Sequence, residues 1–452
     1  MLAWRHDHQF ILVVSASQPR ITGSANLTAP RDPYGALRIP LFRRFLVTSY
    51  LVNMGTAAQG LAIGWEVYVR TDQALALGMV GLVQAIPMFL FTLPAGYLAD
   101  VFDRRKLMMV SLAGATLTSI GLAVCSWYEA HINWMYLVLF LDSTFLRMGW
   151  PARSAIMPLL VPAEQFENAV KWRTTFQHLT GFIGPALGGF VIAYNLQLAY
   201  VLSAVSSALF IVVLSFIALP TAGRSPRGNM VGQLLEGVRF VWNRKLILGA
   251  SSLDLFAVLL GGAVYLLPIF ARDIIDLSSI GLGPEAALGW LRAAPAAGAL
   301  VAALLMAHLP PIRHSGRMLF GCVAGFGVVT IVFGLSQNFW LSMAMLALTG
   351  AFDNVSVVIR HVVVQMSTPN EMRGRVSAVN AIFIGSSNEV GGFESGMVAQ
   401  LFTPVISVVS GGIGTLVVVA GWMGLFPSLG RLGPLSSLNA RDESNENRAD
   451  EG

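Results

Sequence analysis

Gly96-Tyr97-Leu98-Ala99-Asp100-Val101-Phe102-Asp103-Arg104-Arg105-Lys106 places five charged side chains in eleven positions, between two long apolar runs. Charge this dense between hydrophobic segments reads as a tight hairpin at a membrane surface. Its three cations put that surface on the cytoplasmic side.

Working outward, the composition agrees. The chain has 452 residues, 55% hydrophobic and 12% charged, and a mean hydropathy of +0.66. Those values point to lipid as the solvent. The formal net charge of +5 is spread over loops between apolar runs, and lysine occurs only at Lys106, Lys171 and Lys245. No basic groove for a phosphate backbone follows from that pattern, which argues against a nucleic-acid partner. Cys125 and Cys322 lie inside apolar runs and read as packing residues.

Twelve apolar runs are recognisable, near 41–68, 75–99, 105–126, 133–157, 169–193, 197–219, 246–270, 284–308, 317–336, 340–364, 375–399 and 402–426. Each is long enough to cross a bilayer as a helix of ~20 residues. The connections at 104–106, 171–173, 224–245, 313–317 and 373–375 together hold fourteen Lys and Arg, against Arg70, Arg272 and Arg292 on the other side. This asymmetry predicts both termini in the cytoplasm. The expected organisation is a disordered N-terminal tail over 1–37, six spans over 38–219, a cytoplasmic linker over 220–245, six spans over 246–428 and a disordered tail over 429–452. Within the linker, Val231, Leu234, Leu235, Val238 and Val241 recur at helical spacing. They predict a short amphipathic helix, either on the membrane surface or packed as a loop helix.

The two halves resemble each other. Arg153, Pro162, Glu164, Gly184 and Gly189 recur 207 positions later as Arg360, Pro369, Glu371, Gly391 and Gly396. Ala76-Leu77-Gly78 recurs as Ala287-Leu288-Gly289. The opening stretch is not repeated: Pro311 stands in place of Asp100, and Ser315-Gly316-Arg317 in place of the Arg-Arg-Lys. Any role of that stretch therefore belongs to the first half.

Ionisable residues inside spans are costly and mark function. Spans 3, 6, 9 and 12 have none in their interiors and are fit to face lipid, while Asp142, Arg147, Asp254, Arg292, Asp353 and Glu389 lie in spans 4, 7, 8, 10 and 11. Asp142, five residues before Arg147, is a candidate for alternating between paired and protonated states. Asp254 has no cation in its own span and is a candidate proton carrier or substrate contact. Asp353, with Asn354 beside it, and Asn388-Glu389 are expected to line a cavity. Arg153 and Arg360 are expected to tie helix ends together through ion pairs. Glu66 and Arg70, spaced i,i+4 at the outer rim, read as a solvated pair.

The spacing Gly-x-Leu-x-Asp-x-x-x-Arg-Arg resembles the loop between helices 2 and 3 of the major facilitator superfamily. Asn168-Ala169, Gly184-Pro185-Ala186-Leu187-Gly188-Gly189 and Thr368-Pro369-Asn370-Glu371-Met372-Arg373-Gly374-Arg375-Val376 resemble its enterobactin-exporter-like branch, also called transmembrane secretion effectors. The likeness runs from about Ile39 to Leu432. It implies an all-α polytopic membrane protein, with twelve transmembrane helices in two pseudo-symmetric six-helix bundles. It also implies a gating latch at Gly96, Asp100, Arg104 and Arg105 that stabilises the outward-facing state. Asp103 departs from the common glycine and is expected to compete for the same cations. The function implied is proton-coupled export of a small siderophore- or drug-like molecule across the bacterial inner membrane, by a monomer without cofactor or metal.

An uncoupled uniporter or importer is the alternative. A membrane enzyme finds no support, since His-Glu-x-x-His and Gly-x-Ser-x-Gly are missing from the spans.

Overall fold

The computed structural model describes residues 32–217, 230–310, 312–369 and 371–434. Among them the chain is helical throughout, apart from one isolated bridge between Asp276 and Asn338. The first half forms α1 (Pro40–Thr71), α2 (Ala74–Val101), α3 (Arg104–Trp127), α4 (Ile132–Ile156), α5 (Phe166–Tyr194) and α6 (Leu196–Ser215). The linker contributes α7 (Met230–Asn243). The second half forms α8 (Lys245–Leu260), the short α9 (Leu267–Ile269), α10 (Pro284–His308), α11 (Ser315–Leu335), α12 (Phe339–Met366), α13 (Arg373–Leu401), α14 (Pro404–Leu425) and the short α15 (Pro427–Gly430).

Among the described residues, nine helical segments are long and apolar enough to cross a membrane. Three more helices of similar length, α1, α4 and α13, have 32, 25 and 29 residues. They fall short in apolarity because they carry Glu66, Asp142, Arg147, Arg153, Glu389 and Glu394. A helix that turns one face to a polar interior loses mean hydropathy for that reason. Asp254, Arg292, Asp353 and Arg360 lie on α8, α10 and α12, which remain apolar enough to count as spans despite them.

The helices of each half pack mainly with one another: α1 with α5 and α6, α3 with α4 and α6, α10 with α12, and α11 with α12 and α14. The helices α3, α6, α11 and α14, whose interiors carry no charge, make their main contacts within their own half and turn Val110, Val205, Val328 and Val417 outward. The two most extensive contacts between the halves are α2 against α13 and α5 against α10. Each is made where glycine meets glycine. A Cβ on Gly189 would stand 2.7 Å from the Gly289 Cα, and one on Gly78 would stand 3.1 Å from the Gly396 Cα. Those four glycines are the ones paired by the internal repeat, so the two joints are symmetry-related copies. Small residues at such crossings let helix backbones approach within van der Waals range where lipid gives no hydrophobic drive.

Residues expected in the tails partly pack. Asn168 of α5 accepts from the Ala36 amide at 3.0 Å and donates to the Pro33 carbonyl at 2.8 Å, while Trp172 donates to the same carbonyl at 2.9 Å. At the other terminus Leu429 is buried against Phe320 and its neighbours.

Candidate functional site

Span 7 does not run as one helix. Gly261-Gly262 end α8, and a 3-10 turn over Ala263–Leu266, α9 and a π turn over Phe270–Ile274 complete the crossing. Breaks of this kind expose backbone and re-aim side chains, and they are tolerated where they line a cavity. Here the break presents Tyr265 and the Val264 carbonyl toward the interface between the halves.

There Arg147 of α4 forms an ion pair with Glu389 of α13, Nη2 to Oε1 at 3.3 Å. Tyr265 donates to the other Glu389 oxygen at 2.6 Å. Arg292 of α10 donates to the Val264 carbonyl at 3.4 Å and lies within electrostatic reach of Glu389 and Tyr265. Arg292 is solvent-exposed. The cluster holds two guanidiniums and one carboxylate, with Arg147 reaching across from the first half. Arg292 stands out in the sequence as a charge inside span 8, whereas Tyr265 does not; the Gly-Gly pair inside span 7 is the available signal for the break.

Asp142 is not beside Arg147. It accepts from Gln59 at 3.1 Å and from Thr118 at 2.6 Å, and Ser119 donates to the Gln59 carbonyl at 2.7 Å. All four are buried between α1, α3 and α4. Successive turns explain the separation: five residues on a helix rotate the side chain to a different face. A buried carboxylate fed only by neutral donors is a group whose proton occupancy sets the local charge.

In the second half Asp254 does have a cation. Arg360 of α12 pairs with it, both deeply buried, and Asp353 lies in electrostatic reach of the two. The partner comes from another helix, which is why the Asp254 span alone concealed it. Arg153, which the internal repeat matches to Arg360, donates instead to the Ser49 carbonyl at 3.0 Å and lies over the Phe210 ring at 5.9 Å. It ties α4 to α1 and α6 without a carboxylate within 4 Å among the described residues. Asn388 is exposed and donates within its own helix to the Ile384 carbonyl at 2.8 Å. It does not join Glu389.

The expectation of a solvated Glu66–Arg70 pair is overturned. Glu66 is 4% exposed, accepts from Tyr200 at 2.7 Å and pairs with Arg70 at 3.2 Å, and Arg70 also reaches the Ala130 carbonyl. Tyr200 is fully buried and needs a partner for its hydroxyl, so the pair is drawn inside the first half.

At that same end, polar contacts join the halves. Tyr68 donates to Asp273, Arg272 pairs with Asp72 at 3.1 Å and lies over the Tyr68 ring at 5.3 Å, and Gln400 accepts from the Leu75 amide at 3.2 Å. Asp72 ends α1 in the left-handed conformation, φ 53°, which Asp adopts more readily than most residues.

In the opening stretch, Asp103 has a local structural role. Asp103 is the N-cap of α3, accepting from the Arg105 and Lys106 amides at 2.9 and 3.1 Å. A cap there satisfies orphan helix donors, which accounts for a carboxylate at this position. Arg105 reaches the Ser215 carbonyl at the end of α6. Arg104 is half-buried, and Gly96 lies within α2. The Asp100 side chain lies outside the described residues. The start of α13 is engaged by the linker: Glu236 of α7 pairs with Arg375 at 2.7 Å, and Val241 is buried against Val376 and Val379.

An all-helical membrane fold of two packed groups, with charged residues gathered where the groups meet, defines a transporter of the major facilitator type. Over residues 31–442 the chain matches the transmembrane secretion effector family, and it belongs to that family. It is 25% identical over 382 residues to the enterobactin exporter EntS of Shigella boydii serotype 18, covering 84% of this chain and 90% of that protein. The same values hold for EntS of Escherichia coli O1:K1 / APEC. Among solved structures, the nucleoside transporter NupG superposes with a TM-score of 0.67 at 14% identity, over 85% of this chain and 99% of that one. A D-xylose–proton symporter gives a TM-score of 0.64 at 11% identity, over 88% of this chain and all of that chain. These structures share the fold.

Proposed function

We propose that the chain is a secondary active exporter that moves a small organic molecule across the bacterial inner membrane by alternating access, coupled to protons. The observation that carries this reading is the Arg147–Glu389–Tyr265 cluster, an acid and a base from opposite halves meeting in the interior. Protonation of Glu389 removes the attraction that holds Arg147, so the contact between the halves depends on a proton. The family membership and the enterobactin exporter relatives support the class, and a siderophore- or drug-like molecule is the cargo proposed.

In this reading residues 38–219 and 246–428 are two six-helix bundles joined by the linker 220–245, with tails over 1–37 and 429–452. Both termini lie in the cytoplasm, and the protein works as a monomer. The end sealed by Tyr68, Asp72, Arg272 and Asp273 then faces outward and the conformation is inward-facing. Asp142, Asp254 and Asp353 are the further candidates for carrying protons or contacting substrate, and Arg153 and Arg360 brace helix ends. Gly96, Asp100, Arg104 and Arg105 form a latch used in the opposite, outward-facing state. Asp100→Asn is expected to insert normally and transport poorly; full transport removes the latch from the mechanism.

The test of the class is efflux of candidate siderophores and drugs from proteoliposomes, with and without an imposed pH gradient. Gradient-driven accumulation supports the proposal. Equilibration at the same rate without a gradient makes the protein an uncoupled uniporter.

A further inference from the structure

Arg360 has a carboxylate; its repeat-related counterpart Arg153 meets, among the described residues, the Ser49 carbonyl and the Phe210 ring. Arg153 faces a pocket between α1, α4 and α5, at the end of the molecule where α2 turns into α3. Arg173 of α5 lines the same pocket and lies within electrostatic reach of Arg153; its recorded contact is to the Met157 thioether at 3.8 Å. Among the described residues no carboxylate comes within 4 Å of either guanidinium. The Ser49 hydroxyl, also in the lining, is buried and has no hydrogen-bond partner. Tyr50, Trp150 and Phe176 supply aromatic walls.

Half-buried Arg153 and exposed Arg173 stand within reach of each other on one wall and repel, and among the described residues neither has a carboxylate within 4 Å. An unsatisfied hydroxyl beside them adds a third unmet demand. One occupant answers all three: an anionic group able to take two guanidinium forks and a hydroxyl, attached to a flat apolar body that stacks on the rings. We infer that this pocket binds an aromatic organic anion bearing a carboxylate or phosphate. Its place on the export path, as the station that first receives cargo from the cytoplasmic side, rests on the function proposed above. The binding chemistry itself does not.

The experiment is a titration of the full-length protein in phosphatidylcholine nanodiscs with salicylate and with its neutral analogue salicylamide, read by tryptophan fluorescence. Saturable salicylate binding at least tenfold tighter than salicylamide binding is expected. Arg173→Gln and Arg153→Gln should each weaken salicylate about tenfold while leaving salicylamide unchanged, the loss of one charge-assisted contact. Arg153→Lys, which keeps the charge and loses the fork, should recover only part of the affinity lost by Arg153→Gln. Arg173 is exposed, so its variant carries the test if Arg153→Gln fails to fold. Equal binding of the two probes, no saturable salicylate binding, or a folded glutamine variant that matches the parent overturns the inference. Repeating the titration in phosphatidylglycerol nanodiscs separates the sources of the anion. Competition that depends on Arg173 makes a lipid phosphate the occupant, and unchanged affinity makes it a soluble molecule. Binding is read without transport, so a failure of export leaves this result standing, and the reverse also holds.

Discussion

The two halves share a scaffold and differ in where they keep charge. In the first, Asp142 sits among the neutral donors Gln59 and Thr118, while Arg153 has no acid within 4 Å among the described residues and Arg147 finds its acid in the other half. In the second, Asp254 and Arg360 neutralise each other in the interior, with Asp353 in reach. The glycine joints that hold the halves together are nevertheless copies of one another. Backbone approach has been kept symmetric and side-chain chemistry has not. Under the alternating access proposed above, a chain that rocks about two equivalent joints can carry proton and cargo chemistry unequally on the two sides.

The largest expected effect breaks the internal pair. Arg360→Gln strands a buried carboxylate and should cost about 3–5 kcal/mol of stability, whereas Arg153→Gln should cost about 1 kcal/mol, the scale of one hydrogen bond. Thermal unfolding in detergent measures both, and equal losses would erase the distinction between the two arginines. Next come the joints. Gly189→Ala and its repeat-related counterpart Gly396→Ala each force a Cβ into the partner backbone and should cost about 1–3 kcal/mol apiece, by similar amounts. A large inequality in the same assay denies the symmetry of the contact. The smallest effect concerns the linker, which has no counterpart. Glu236→Gln removes a half-exposed ion pair with Arg375 and should shift stability by less than about 1 kcal/mol. A greater loss makes α7 a structural clamp on α13.

Much of this architecture was legible in the chain. Hydrophobic periodicity located the helices, the charge-free runs identified α3, α6, α11 and α14, and the repeat pointed to the glycines that meet. Pairing was less legible, because it is decided between helices. Asp142 and Arg147 are close in sequence yet rotated apart on one helix, and Arg360 reaches Asp254 from 106 residues away. Glu66 looked solvated because nothing near it in sequence announces the hydroxyl of Tyr200. Tyr265 gained its role from a helix break that the apolar run concealed and only Gly261-Gly262 betrayed. Asp103 seemed a rival of Asp100 in composition and proved to be a helix cap in geometry.

The central claim is that a proton on Glu389 governs the contact between the halves through Arg147. Its most direct test is Glu389→Gln in proteoliposomes, comparing pH-gradient-driven accumulation of the exported molecule with gradient-free counterflow exchange. Lost accumulation with counterflow retained within about twofold is the predicted result, since the amide removes the titrating group but leaves the helices packed. Accumulation that persists at the parent level would place the coupling elsewhere and contradict the account.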